Sequence, residues 1–85
     1  MATIDHVIKA KTGMHARPAG MLVATAKKFK STITVKFGGK EVSATKLFDL
    51  MKLPAKQNDT LQVCISGEDE EAATAAIKES LEKNF

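Results

Sequence analysis

Residues 31–44 read "STITVKFGGKEVSA". Ile33, Val35 and Phe37 alternate with Thr32, Thr34 and Lys36, the two-residue period of a strand with one apolar side. Gly38 and Gly39 supply a two-residue turn, because a tight hairpin asks for positive φ at its central positions. "KEVSA" then returns as a second, shorter strand. The stretch predicts an antiparallel hairpin with one face to cover, and the remaining elements must cover it.

The flanking segments fit that task. "TIDHVIKA" (3–10) alternates, with Ile4, His6 and Ile8 on one side and Thr3, Asp5 and Val7 on the other. "KTG" (11–13) follows as a turn in which Gly13 is free to take positive φ. From Ala16 the period changes: Ala19, Leu22, Val23, Ala26 and Phe29 form one helical face. Pro18 suits a first helical turn, which makes no internal use of its N–H groups. Lys27, Lys28 and Lys30 lie at the far end, where cations suit the dipole. "TKLFDLMKL" (45–53) reads as a short helix ended by Pro54. "NDTLQVCIS" (58–66) reads as a turn and a strand, with Leu61, Val63 and Ile65 inward and Asn58 suited to a left-handed conformation. "GEDEEAATAAIKESLEKNF" (67–85) is an amphipathic helix with acids at its start and Ala73, Ile77 and Leu81 along one stripe, Ala76 beside it. The order is βαββαβα. One-sided strands and one-sided helices predict an α+β fold: a single sheet with helices on one face and water on the other.

The chain has 85 residues, enough for one small domain. Residues 1–66 carry eleven Lys or Arg against four Asp or Glu, a balance of +7, and residues 67–85 carry two against six, a balance of −4. The basic part can attract phosphate or an acidic protein surface. It makes a poor nucleic-acid surface: Arg17 is the one arginine, Trp and Tyr are absent, and the lysines are scattered. No apolar run reaches membrane-spanning length, and "MATIDHVIKA" is not a secretory signal, so a cytoplasmic protein without membrane insertion is expected. The lone Cys64 excludes a disulfide within the chain and reads as a strand residue. His6 reads as a packed or edge histidine. No carboxylate or thiol cluster at ligand spacing joins it or His15, so neither a metal nor a cofactor is expected.

The chemistry concentrates in "KTGMHARPAGMLV" (11–23). The first N–H groups of a helix lack partners inside it and carry partial positive charge, which makes them an anion site. His15 stands immediately before that site. A neutral imidazole nitrogen is a nucleophile. A phosphoryl group placed on it faces the free N–H groups of the helix start, beginning at Ala16, and lies within reach of Arg17. One arginine and no acidic base on a small loop suit a relay better than a complete enzyme.

Together "TGMHARPAGMLVATAKKF", "ITVKFGGKEVSA", "LFDLMKL" and "ISGEDEEAA" resemble the histidine-containing phosphocarrier (HPr) family of the bacterial sugar phosphotransferase system, over essentially the whole chain as a single domain 1–85. The resemblance implies an open-faced two-layer β-sandwich, four antiparallel strands in the order 1-4-2-3 with three helices on one side. It implies that enzyme I, charged by phosphoenolpyruvate, phosphorylates His15 at Nδ1. His15 then passes the group to the IIA domains of sugar permeases, and Arg17 helps to hold it. It also implies a docking surface around the histidine. On the first helix, Gly20, Met21, Ala24 and Lys27 fall opposite the core stripe, with Thr12 before it. On the short helix, Lys46, Leu47, Phe48 and Met51 are expected at the partner, and Leu50 in the core. A monomer is expected, since the exposed apolar surface already has a use. The alternatives are a regulatory relative that acts by binding, or a specialised relay; His15 argues against the first.

The sequence departs from the family in two places. Pro54 stands where a glycine is common, and Lys46 stands at the position of the serine that an ATP-dependent kinase modifies in many Gram-positive members. A lysine cannot form that ester, and Ser43 and Thr45 are out of register. Incubation with such a kinase and ATP should leave the chain unmodified by mass spectrometry; stoichiometric phosphate on Thr45 would contradict this.

Overall fold

The computed structural model describes residues 2–11 and 15–85. The expected turn at Gly13 lies outside them. The elements are β1 (Ala2–Val7), α1 (Ala16–Ala26), β2 (Thr32–Phe37), β3 (Lys40–Ser43), α2 (Leu47–Met51), β4 (Thr60–Ser66) and α3 (Glu70–Asn84). The strands form one sheet in the order β1-β4-β2-β3, and every neighbouring pair is antiparallel. The hairpin closes between Phe37 and Lys40, with Gly38 at φ 56° and Gly39 at φ 83°. Those values explain the two glycines, because a Cβ is disfavoured at positive φ.

Alternation places each strand residue. Ile33, Val35, Leu61, Val63 and Ile65 are buried, whereas Thr34, Gln62 and Cys64 between them are half-buried and the flanking Thr32, Lys36, Thr60 and Ser66 are exposed. The three helices cover the buried face with Leu22, Leu50, Ile77 and Leu81, all fully buried. Each such side chain contributes roughly 1.5–3 kcal/mol through removal from water. Helix α1 packs between α2 and α3, α3 reaches β1 and β4, and α2 reaches β3. The opposite face carries polar rows: Thr3, Cys64, Thr34 and Ser43 lie side by side, followed by Asp5, Gln62, Lys36 and Glu41. Thr34 donates to Glu41 at 2.9 Å and Gln62 to Asp5 at 3.3 Å. Cys64 is a half-buried free thiol of that face, and His6 is half-buried on the edge strand β1.

Three boundaries differ from the expected ones. Helix α1 ends at Ala26, so Phe29 reaches the core from a turn, and Lys28 and Lys30 stand beyond the helix. The backbone tightens there to three-residue bonds, Lys28 N–H to Thr25 and Phe29 N–H to Ala26. Helix α2 is only five residues long. Its last turn closes at Lys52 and Leu53, before Pro54 is reached, and Lys46 is extended at its start.

The segment after α1 is held by Asp69 at the start of α3. Its carboxylate accepts the Lys30 N–H at 2.8 Å, the Ser31 N–H at 2.9 Å and the Ser31 hydroxyl. Gly67 permits the approach: a Cβ there would sit 2.6 Å from Ser31 Cα. The Ser31 hydroxyl and then the Lys30 N–H hold the Asp69 carboxyl below the ordinary carboxylate range, against an opposing effect of desolvation. A depressed carboxyl stabilises the fold above its unfolded pKa, and the benefit is lost as pH falls through the folded one. Asp69→Asn should therefore lower the melting temperature at neutral pH. The gap from the wild type should close on acidification below the ordinary carboxylate range, as followed by thermal circular dichroism. A gap independent of pH would contradict this.

Candidate functional site

Helix α1 begins immediately after His15, whose backbone is extended (φ −112°, ψ 158°). The His15 carbonyl accepts the Ala19 N–H at 2.9 Å, the first bond of the helical ladder. The N–H groups of Ala16 and Arg17 precede that first donor and have no acceptor within the helix. Pro18 has no N–H to leave unpaired. His15, Ala16 and Arg17 are all exposed. The His15 ring makes no capping hydrogen bond, and no acid occupies the first turn. The positive end of the helix dipole is therefore not neutralised from within the helix. The helix mouth thus offers two N–H groups, with the exposed His15 immediately before them and the exposed Arg17 in the first turn, residue types suited to holding a phosphate.

The chain leading to the site is tied down at Ile8–Ala10. Ile8 exchanges hydrogen bonds with the turn before β4, its N–H going to Asp59 and its carbonyl accepting Asn58, both at 2.8 Å. Asn58 takes the left-handed conformation expected of it, φ 77°. The Gln57 side chain donates to the Lys9 carbonyl at 3.2 Å. The N–H groups of Lys9 and Ala10 both point to the main-chain oxygen of Phe85, the second at 2.9 Å. Phe85 plays no part in the sequence reading of the site, although its place four residues after Leu81 and eight after Ile77 is the signal that marks it as a core residue.

The candidate docking residues differ in exposure. Ala24, Lys27 and Lys46 are exposed, and Gly20 is half-buried with open space where a Cβ would stand. Phe48 is 77% exposed and Met51 41%, while Leu50 one residue earlier is fully buried. Leu47 is half-buried and packs against the core, so much of its surface serves the fold. Met21 is 53% exposed. It lines a groove between α1 and α3 with Thr25, Lys28 and Ser80, to one side of the Gly20, Ala24 and Lys27 face. Thr12 lies outside the described residues. An apolar patch on α2 thus stands on the element packed against α1, flanked by Lys46 and Lys52. No helix among the described residues is long and apolar enough to cross a membrane.

The family model for the "PTS HPr component phosphorylation site" matches residues 2–83. The chain is 44% identical to the phosphocarrier protein HPr of Mycoplasma genitalium over 85 residues, covering 99% of this chain and 97% of that one. The crystal structure of HPr-C-His from Thermoanaerobacter tengcongensis superposes with a TM-score of 0.92 at 39% identity, covering 100% of this chain and 96% of that one. The Bacillus subtilis catabolite repression protein Crh, described as a domain-swapped dimer, superposes at 0.78 with 28% identity, covering 100% and 98%. With the strand order, the helix placement and the histidine at the mouth of α1, these likenesses settle the family: the chain belongs to the HPr phosphocarriers of the phosphotransferase system.

Proposed function

We propose that residues 1–85 act as one cytoplasmic HPr domain that carries a phosphoryl group from enzyme I to the IIA domains of sugar permeases, with His15 as the carrier. The observation that carries this reading is the exposed His15 at the start of α1, its ring free of any capping bond. The lone pair of Nδ1 attacks phosphorus on the charged donor. The new N–P bond forms as the donor's bond to phosphorus breaks, and the donor keeps that electron pair. The phosphoryl oxygens then meet the N–H groups of Ala16 and Arg17 and the Arg17 guanidinium. The same steps in reverse deliver the group to the acceptor. Exposure keeps the group transferable, and the few donors hold it without enclosing it.

Docking in this reading uses Phe48 and Met51 as apolar anchors, with Gly20 and Ala24 leaving room for an approaching surface. Lys27 and Lys46, with Thr12 and Met21 at the margin, supply a rim for an acidic partner. The chain works as a monomer with respect to transfer. The likeness to Crh supports a second reading, a regulatory relative acting by binding alone, and His15 favours the first.

With labelled phosphoenolpyruvate and enzyme I, the wild type should take up acid-labile, base-stable phosphate. His15→Ala should take up none. Arg17→Ala should fall about a hundredfold in kcat/KM, the low end of the scale on which a single donor to a developing anion counts, because the site is open to water. Labelling of His15→Ala at the wild-type level would overturn the assignment, and an unlabelled wild type would favour the regulatory reading.

A further inference from the structure

We infer that Phe85 is a positioning residue for phosphoryl transfer: it anchors Lys9 and Ala10, and through them sets where the chain enters the His15 site. The inference rests on the relay reading above. Four residues separate Ala10 from His15, so a displaced Ala10 shifts one end of that short connection while α1 holds the other. Two consecutive N–H groups, those of Lys9 and Ala10, converge on the Phe85 main-chain oxygen. They lie just after β1 ends at Val7, where pairing with β4 no longer supplies acceptors. The oxygen is itself fixed from behind. The Phe85 N–H donates to Leu81 at 2.9 Å, continuing α3, and the ring is only 3% exposed within the core.

The side chain therefore acts on the site through the backbone. Burial of the ring pins the end of α3, and α3 presents the oxygen to the segment before the nucleophile. The turn at Gln57–Asp59 holds Ile8 and Lys9 from the other side, so removing the ring frees one of two ties and leaves the strand paired. Small displacements of a reacting group are costly in transfer reactions, because rate depends on the attacking atom meeting phosphorus in line.

The test compares wild type, Phe85→Ala, Phe85→Leu and Ile65→Val, the last a core truncation near the far end of β4. Labelling from enzyme I is read as kcat and KM, and amide hydrogen exchange by NMR. Phe85→Ala should lose about tenfold in kcat with little change in KM, on the scale of a slightly misplaced nucleophile. It should also speed exchange at Lys9 and Ala10 while leaving Val35 and Val63 protected. Phe85→Leu, which refills the site, should recover most of the rate, and Ile65→Val should stay within about twofold of wild type. Should Phe85→Ala fail to fold, Ala10→Pro removes one of the two donors without emptying the core and carries the same expectation for kcat. Normal labelling of Phe85→Ala, or an equal loss in Ile65→Val, overturns the inference while the relay reading stands. A wild type that accepts no phosphate overturns both.

Discussion

A four-stranded sheet with one apolar face must be covered on that face alone, and the cover decides where α1 begins. Leu22 and its neighbours on α1 are buried in the core shared by the sheet and the helices, so the helix cannot slide or rotate without exposing them. Its first turn is consequently held at a fixed place on the rim of the molecule. A helix start always leaves N–H groups without internal acceptors. Here the turn contains no acid, its third residue is a proline, and its N-cap is a histidine whose ring makes no capping bond. The core thus fixes an electropositive mouth and sets an imidazole beside it.

The same economy governs the surroundings. Helix α2 is too short to be stable alone and survives by burying Leu50 and part of Leu47 against its neighbours. With five residues it cannot turn every apolar side chain inward, and Phe48 and Met51 are left in water beside α1. An exposed aromatic ring bordered by lysines is costly for a protein that meets no partner and useful for one that docks briefly with acidic surfaces. Most of the acids of the chain lie elsewhere, clustered at the start of α3, where the N-cap Asp69 is engaged with Lys30 and Ser31, and α2 itself carries the one acid Asp49.

Period and turn chemistry made most of this legible in advance. The alternation around Gly38–Gly39 gave the hairpin, Asn58 its left-handed turn, and the spacing Ala19–Leu22–Val23–Ala26 the buried face of α1. The His15–Arg17–Pro18 grouping marked the helix start from residue types alone. The strand order did not follow from period and came from the family resemblance. What stayed hidden were contacts between distant segments. Phe29 continues the helical stripe in sequence, yet it is reached after the helix has ended. Leu47 and Phe48 look alike in a five-residue helix, and only the packing of α2 separates the half-buried one from the exposed one. Asp69 is one of several acids at the start of the last helix in sequence, while its carboxylate in fact binds the chain after α1, and nothing in the sequence marks Phe85 as an acceptor for Lys9 and Ala10.

The central claim is that the anion on His15 is held by the first N–H groups of α1. It is tested most directly by NMR of the nitrogen-15-labelled chain before and after charging with phosphoenolpyruvate and enzyme I. Phosphorus coupling should appear on a His15 ring nitrogen, and the Ala16 and Arg17 amide protons should move downfield more than any others, as donors to an anion do. Coupling on His6, or a charged His15 with the Ala16 and Arg17 amides unmoved, would contradict the account.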